Sequence, residues 1–159
     1  MLKPRFSFSV DRSARYLNWR YFALPGAKPL AIVATDASGT VLGIAVAMER
    51  FELDRHRQPA ATHLEITEFL LAEDDPELAD HLIIFILRHA QELAVDSVGT
   101  MPITAFIQSR LKALGFTSED STQFSAMLLD KKTQDMPQLI DTEIMYTAGD
   151  GDSIYVTGR

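Results

Sequence analysis

Alternating hydrophobic and polar positions mark the predicted strands of this chain. Two apolar segments, residues 29–35 and 41–48, flank the turn-forming residues Asp36 to Gly39, and this arrangement predicts a β-hairpin. Residues 63–72 start with alternating positions and finish in a continuous apolar run. Such a segment is typical of a strand that begins at a half-exposed position and ends inside a sheet. We therefore expect residues 63–72 to form the central strand of the fold.

Apolar positions with a helical period follow this strand. The segment Glu73-Asp-Asp-Pro-Glu77 combines an Asp N-cap, a proline in the first turn and a glutamate three residues after Asp74. These features predict the start of a helix. Residues 103–114 predict a second amphipathic helix, which Gly115 is expected to end. The apolar face of the first helix consists of Leu78, Leu82, Ile86, Ala90 and Leu93.

Segments on either side complete the predicted order of elements. Residues 12–22 are expected to form a helix that is capped by Asp11 or Ser13. The polar segment 51–62, which contains Pro59, is expected to be a loop before the central strand. Shorter strands are predicted at residues 6–10, 95–101, 124–129 and 142–147.

Strands and helices alternate along most of the chain. The predicted order is strand, helix, hairpin, central strand, helix, strand, helix, strand, strand. This order predicts the α/β class, with a mixed sheet of the α+β type. The length of 159 residues matches one ordinary domain, and 47% hydrophobic residues suffice for its core. We expect a single domain over residues 1–159.

Charge and composition limit the class of partner. The net charge of −7 argues against nucleic acid or an anionic membrane surface. The chain has no cysteine, which excludes disulfides, thiolate metal sites and a cysteine nucleophile. The histidines lack the spacing of a zinc site, and no metal is expected. The first residues lack the apolar core of a signal peptide, and residues 82–87 are too few to cross a bilayer, so we expect a cytoplasmic protein.

The order of elements and several local motifs resemble the GNAT superfamily of acyl-CoA-dependent N-acyltransferases. The hairpin carries Gly43 in its second strand, a long helix follows the central strand, and Lys112-Ala-Leu-Gly-Phe116 ends the last helix. Two further motifs, Tyr16-Leu-Asn-Trp-Arg-Tyr21 and Gly149-Asp-Gly-Asp152, narrow the resemblance to the C-terminal lobe of certain bacterial GNAT-like proteins. The resemblance extends over residues 10–155.

This resemblance implies a central mixed sheet with helices on both faces and a site for acetyl-CoA or another acyl-CoA. In the family, the acyl-CoA lies where two neighbouring parallel strands separate. Its pyrophosphate is held by backbone N–H groups of the turn after the central strand, at the start of the next helix. The residues at these cofactor-binding positions here are Leu70, Leu71, Ala72, Pro76, Glu77 and Leu78.

The resemblance also implies catalytic residues. In the family, a carboxylate on the central strand can act as general base through water, which makes Glu68 the first candidate and Glu65 the second. On a regular strand these two residues face opposite sides of the sheet, so only one of them faces the cleft. Tyr146 lies where many members have a tyrosine as general acid toward the thiolate. Ion pairing of the glutamates and packing of a half-buried tyrosine are the alternative interpretations.

One segment departs from the family pattern. The pyrophosphate turn of the family usually follows Gln/Arg-x-x-Gly-x-Gly/Ala. This chain has Glu73-Asp-Asp-Pro-Glu77 instead, with no glycine and no cation. Carboxylates at this place compete for the N–H groups and repel a pyrophosphate, or they simply cap the helix.

Two functions therefore stay open. The first is N-acyl transfer to a small-molecule or protein amine, for which the sequence identifies neither the amine nor the acyl group. The second is a non-catalytic GNAT-fold module for binding or assembly that has lost CoA binding. The apolar residues 82–87 suit a helix that is covered on two sides, which leads us to expect a homodimer.

Overall fold

A four-stranded mixed sheet forms the centre of the fold. The computed structural model describes residues 12–23, 25–26, 28–101 and 104–117. Within these ranges the sheet has the order β1-β2-β3-β4, namely Leu30–Thr35 (β1), Val41–Leu53 (β2), Pro59–Leu71 (β3) and Ser97–Thr100 (β4). Strands β1, β2 and β3 pair in antiparallel fashion, and β4 pairs with β3 in parallel. The predicted hairpin, central strand and mixed sheet are confirmed.

Helices of this part of the chain coincide with the predicted ones to within a few residues at each end. They are α1 (Ala14–Leu17), which continues as a π-helical segment (Asn18–Phe22), α2 (Pro76–Leu93) and α3 (Ala105–Ala113). Among these described helices, none is long and apolar enough to span a membrane. Several predictions lie outside the described residues, namely the strands at 6–10, 124–129 and 142–147, Tyr146, and the motif from Gly149 to Asp152.

The turn between β1 and β2 is held by an aspartate. Asp36 Oδ1 accepts hydrogen bonds from the backbone N–H groups of Ser38 and Thr40, at 2.8 and 2.9 Å. Gly39 has a φ of +84°, in the left-handed region that glycine adopts without steric cost. This turn is the one that the sequence pattern predicts.

The turn between β2 and β3 has the same construction. Asp54 Oδ1 accepts hydrogen bonds from the backbone N–H groups of His56 and Gln58, at 2.7 and 2.9 Å. The left-handed position is held by Arg57, which has a φ of +61°. An L-amino acid with a large side chain therefore adopts a conformation that glycine adopts in the first turn.

The predicted loop over residues 51–62 is wrong. Strand β2 reaches Leu53 and β3 begins at Pro59, so only residues 54–58 form the connection. The sequence pattern missed this hairpin because Arg57 stands where a glycine would have marked the turn. The two strands thus form a long hairpin at the centre of the sheet.

One face of the sheet packs against α2. The buried residues of α2 share one stripe and are Ala79, Leu82, Ile83, Ile86 and Ala90. They form one core with strand residues that include Ala45, Ala47, Leu64, Ile66 and Phe69. Gly43 leaves room for side chains of both β3 and α2, because a Cβ at this position would lie 2.9 Å from Leu71 Cδ2 and 3.3 Å from Leu82 Cδ1.

The opposite face of the sheet is covered by the π-helical segment. Tyr21 is fully buried and packs with Val46 and Met48 of β2. Ala45 and Ala47 alternate with these residues along β2 and belong to the core around α2, so the two groups point to opposite faces. The prediction of helices on both faces of the sheet is confirmed.

The apolar stretch of α2 is covered on one side. Leu82, Ile83 and Ile86 are buried against the sheet, whereas Phe85 is 53% exposed. A homodimer that covers Phe85 stays a prediction.

Exchange of the residue at the left-handed position tests the shared turn. Arg57→Gly removes the steric cost of a side chain at positive φ, and we expect it to raise the free energy of unfolding by about 1 kcal/mol. Gly39→Ala, at the matching position of the other turn, is expected to lower it by about the same amount. Urea unfolding of both variants measures these changes. A loss of stability in Arg57→Gly would contradict the common geometry.

Candidate functional site

The parallel strands β3 and β4 separate partway along β3. Their pairing runs from His63 opposite Ser97 to Ile66 opposite Thr100, and β3 continues through residues 67–71. At the last pair, Thr100 Oγ1 donates a hydrogen bond to the Ile66 carbonyl oxygen at 2.9 Å. Within the described ranges, no strand lies beside residues 67–71 on this side. The side of residues 67–71 on which the described residues place no strand is called the β3–β4 gap below.

A β-bulge lies where the strands separate. Val46 pairs with Glu68 and Ala47 pairs with Ile66, which leaves Thr67 as an extra residue in β3. The Thr67 hydroxyl donates a hydrogen bond to the Val46 carbonyl oxygen at 3.2 Å. This extra residue shifts the alternation of β3 by one position. In the rest of β3, the residues whose backbone groups point to β2 are therefore the ones that would otherwise point away from it.

The direction of the β3 backbone after the bulge follows from one hydrogen bond. The Ala72 N–H donates to the Leu42 carbonyl oxygen of β2 at 2.8 Å. Successive residues of a strand direct their backbone groups to alternate sides, so Phe69 and Leu71 direct theirs toward the β3–β4 gap. One wall of the gap thus presents backbone donors and acceptors in the spacing that a further strand or an extended ligand would match.

The bulge also corrects the predicted orientation of the two glutamates. Glu65 pairs with Met48, and Glu68 pairs with Val46. Val46 and Met48 are two residues apart on β2 and share a face, so their partners share that face as well. The prediction that Glu65 and Glu68 face opposite sides is wrong, because it applied to a regular strand.

Glu68 is fully buried, and both of its carboxylate oxygens have partners. Arg12 Nε donates to Oε2 and the Tyr21 hydroxyl donates to Oε1, each at 2.8 Å. Burial raises the pKa of Tyr21 and the charge of Glu68 raises it further, so the phenol stays a hydrogen-bond donor. Both oxygens of this carboxylate are thus engaged in charge-assisted hydrogen bonds, to a guanidinium and to a phenol. Glu68 thus joins the N-terminal helical region to the sheet.

Glu65 lies one pair before the gap, opposite Gly99 of β4. It forms an ion pair with Arg50 Nη1 at 2.7 Å, and its side chain is 12% exposed. Burial raises the pKa of Glu65 above the ordinary value of 4.5, and the charge of Arg50 offsets part of this effect. The surroundings of Glu65 therefore favour uptake of a proton.

The turn before α2 is closed by its own helix cap. Asp75 Oδ1 accepts hydrogen bonds from the backbone N–H groups of Glu77 at 2.9 Å and Leu78 at 3.1 Å. Pro76 has no N–H group, and the Asp75 N–H donates to the Glu73 carbonyl oxygen at 2.9 Å. Such a cap stabilises a helix by about 1 kcal/mol. The interpretation of the acidic segment as a helix cap is confirmed.

Comparison with known proteins relates this architecture to a family. No protein-family model and no curated protein sequence matches the chain. The aminoglycoside antibiotic 6'-N-acetyltransferase AAC(6')-Ih from Acinetobacter baumannii matches over 76% of this chain and 85% of its own, with a TM-score of 0.54 and 16% identity. A tetramutant protein from Bacillus halodurans matches over 72% and 73%, with a TM-score of 0.53 and 15% identity. The chain has the GNAT fold.

The positions at which the GNAT resemblance implies acyl-CoA binding fall into two groups. The first group lies beside the β3–β4 gap and consists of Leu70, Leu71 and Ala72. The second group forms the start of α2 and consists of Pro76, Glu77 and Leu78. In the first group, Leu71 directs its backbone groups toward the gap. In the second group, the N–H groups of Glu77 and Leu78 are bonded to Asp75, so a pyrophosphate could bind them only by displacing this carboxylate.

The helical pattern of the sequence did not single out Tyr21, whose hydroxyl donates a hydrogen bond to Glu68. An α-helical spacing predicts one shared face for Tyr16, Trp19 and Arg20, but Trp19 is 60% exposed and Arg20 is buried. Tyr16 and Trp19 are in ring contact, with their centroids 6.0 Å apart, whereas Arg20 belongs to the buried side of this π-helical segment. Tyr21, four residues after Leu17, packs with it against Val46 and Met48 of the sheet. The cluster of aromatic and basic residues in this motif was the signal for a special role.

A metal site finds no support in the described part of the chain. It contains no group of three or more His, Asp or Glu residues that could hold a metal ion. His63, at the start of the predicted central strand, has its Nδ1 2.6 Å from Ser97 Oγ and its Nε2 3.4 Å from Glu52 Oε1. These contacts link β3 to β4 and β2.

Removal of one partner from the buried pair tests its contribution to stability. Arg12→Leu leaves the Glu68 carboxylate buried without its cation, and we expect the free energy of unfolding to fall by about 3–5 kcal/mol. Addition of Glu68→Gln removes the charge and should restore a large part of this loss. Arg15→Leu, at an exposed position of α1, should change the stability by less than about 0.5 kcal/mol. A double variant no more stable than Arg12→Leu would contradict the pairing.

Glu65→Gln tests the raised pKa of Glu65 through the pH dependence of stability. The folded chain binds this proton more readily than the unfolded chain, so the stability that Glu65 contributes is present below pH 4.5 and is lost as the pH rises through the folded pKa. Glutamine imitates the protonated form. Between about pH 4 and about pH 7, the free energy of unfolding of Glu65→Gln should therefore rise relative to that of the wild type.

Urea unfolding at the two pH values measures this difference. Glu92→Gln serves as a control, since the Glu92 side chain is 77% exposed at the far end of α2. A relative fall in the stability of Glu65→Gln with rising pH would show that the fold lowers the pKa of Glu65 instead.

Proposed function

We propose that the chain is an N-acyltransferase of GNAT type that transfers an acyl group from a thioester to an amine. The β3–β4 gap, which opens at the bulge of Thr67, is the observation that carries this proposal. The backbone groups that Phe69 and Leu71 direct into the gap are suited to pair with the amides of an extended thioester arm. Similarity in fold to a structure named as an aminoglycoside acetyltransferase supports the same class of reaction.

The proposed reaction requires an amine in its free-base form and a proton acceptor. The amine nitrogen attacks the thioester carbonyl carbon, so that a C–N bond forms and the C–S bond breaks. The amine proton passes through a water molecule to Glu65, and the departing thiolate takes up a proton. Glu65 is the proposed base because it lies beside the gap and its pKa is raised. Glu68 is assigned to anchoring the helix, and Tyr146 stays the proposed acid toward the thiolate.

The charge of the chain favours a cationic acceptor. With 22 acidic and 15 basic residues, its net charge is −7, which attracts an amine that carries further positive charges. An aminoglycoside, a diamine and a lysine-containing peptide are the acceptor classes to test first. The proposed localisation is the cytoplasm.

A second candidate is a GNAT-fold module that binds a partner without catalysis. Two observations favour it, since Arg12 and Tyr21 engage the carboxylate of Glu68, and Asp75 closes the turn before α2. In this alternative the β3–β4 gap takes an extended peptide that adds a strand to β3.

A thiol-release assay distinguishes the two candidates. Acetyl-pantetheine is offered with each of the three amine classes, and we expect amine-dependent release of thiol. Glu65→Gln should lower kcat by about 100-fold because the proton acceptor is lost. Glu92→Gln, at the exposed end of α2, should leave kcat unchanged. If the thioester binds but none of the amines causes release of thiol, the result would contradict the proposed acyltransferase and favour the non-catalytic binding module.

A further inference from the structure

The turn at the start of α2 is the segment of the chain that suits a phosphate least. Residues 73–77 carry four carboxylates, no glycine and no cation. The two N–H groups that point out of this helix start, those of Glu77 and Leu78, are bonded to Asp75 Oδ1. A phosphate could reach them only by displacing Asp75, and it would then lie among carboxylates of the same charge.

The β3–β4 gap has the opposite character. Its β3 wall is formed by apolar residues, of which Phe69 is 3% exposed and Leu70 is 9% exposed. Among the described residues of β3 beyond the bulge, Phe69 and Leu71 direct their backbone groups to the gap, and these groups are neutral. An extended arm with two amides and no charge, which is the chemistry of pantetheine, matches this wall along its length.

We infer that the chain recognises its acyl donor through the uncharged pantetheine arm, and that the acidic turn discriminates against donors that carry phosphates. The inference rests on the proposed function, because it concerns the donor of the same reaction. The substrate class is an acyl-pantetheine thioester without charge at the end that reaches residues 73–77. Acyl-CoA, which places a pyrophosphate there, is the weaker ligand.

The salt dependence of acetyl-CoA binding distinguishes this inference from a phosphate-binding turn, because the two predict changes in opposite directions. Repulsion between the carboxylates and the phosphates is screened as salt rises from about 10 mM to about 100 mM, over which the Debye length falls from about 30 Å to about 10 Å. Binding of acetyl-CoA should therefore strengthen over this range. Binding of acetyl-pantetheine should stay constant.

Calorimetric titration with three thioesters tests the inference directly. The series is acetyl-pantetheine, acetyl-4′-phosphopantetheine and acetyl-CoA, and affinity for the wild-type protein should fall in this order, by about tenfold over the whole series. The variant Glu73→Gln/Asp74→Asn/Asp75→Ser removes three carboxylates, and serine retains the capping function. It should bind acetyl-CoA about tenfold more tightly than the wild type does. Glu92→Gln, at the other end of α2, is the matched control and should change nothing.

The outcomes separate failure of the inference from failure of the proposed function. Acetyl-CoA that binds tenfold more tightly than acetyl-pantetheine, or that binds more weakly as salt rises, overturns the inference and leaves the proposed function standing. Absence of binding of all three thioesters to the wild-type protein at millimolar concentration, with the protein folded by circular dichroism, overturns both. Equal affinity for acetyl-CoA in the wild type and the triple variant also overturns the inference.

Discussion

The extra residue at Thr67 is the constraint on which the candidate site depends. It is accommodated opposite Val46 and Ala47, where its hydroxyl bonds to the Val46 carbonyl oxygen. Beyond it, the alternate residues of β3 exchange sides, which turns the backbone of Phe69 and Leu71 toward the gap. The pairing with β4 ends at the neighbouring residue, Ile66. The extra residue thus decides which backbone groups of β3 point to the side on which the pairing with β4 ends.

The same extra residue places a buried charge beneath the N-terminal helical region. Glu68 faces Arg12 and Tyr21 because the bulge brings it to the face that the π-helical segment covers. A buried carboxylate is costly unless its oxygens are satisfied, and here a guanidinium and a phenol satisfy them. Fold and site are therefore coupled, since the helix that closes this face is held by a residue of the strand that forms the gap.

Local sequence patterns were sufficient for the main elements but not for their irregularities. The first hairpin could be predicted because Gly39 marks its turn, and α2 because proline, acidic residues and an apolar stripe agree on its start and face. The second hairpin was missed because Arg57 adopts the left-handed conformation without the glycine that would announce it. No residue type in the sequence marks the bulge at Thr67, because a bulge is defined by the register of two paired strands.

For the candidate site residues as well, the sequence predicted local features but not those that depend on strand register or on distant contacts. The sequence singled out Glu65 and Glu68 correctly as carboxylates of the central strand, but their relative orientation depends on the register. The acidic turn could be recognised from sequence as unlike a phosphate site, and the contacts of Asp75 give the physical reason. The partnership of Tyr21 with Glu68 joins residues 47 positions apart, and a local pattern carries no information on such a contact.

Amide chemical shifts during titration with acetyl-pantetheine test the central claim most directly. If the ligand lies in the β3–β4 gap, the N–H signals of Phe69 and Leu71 should show the largest shifts and slower hydrogen exchange. The N–H of Leu70, which faces β2, should change less. Shifts concentrated at Trp19 and Phe22, with Phe69 and Leu71 unchanged, would contradict the assignment of the gap as the ligand site.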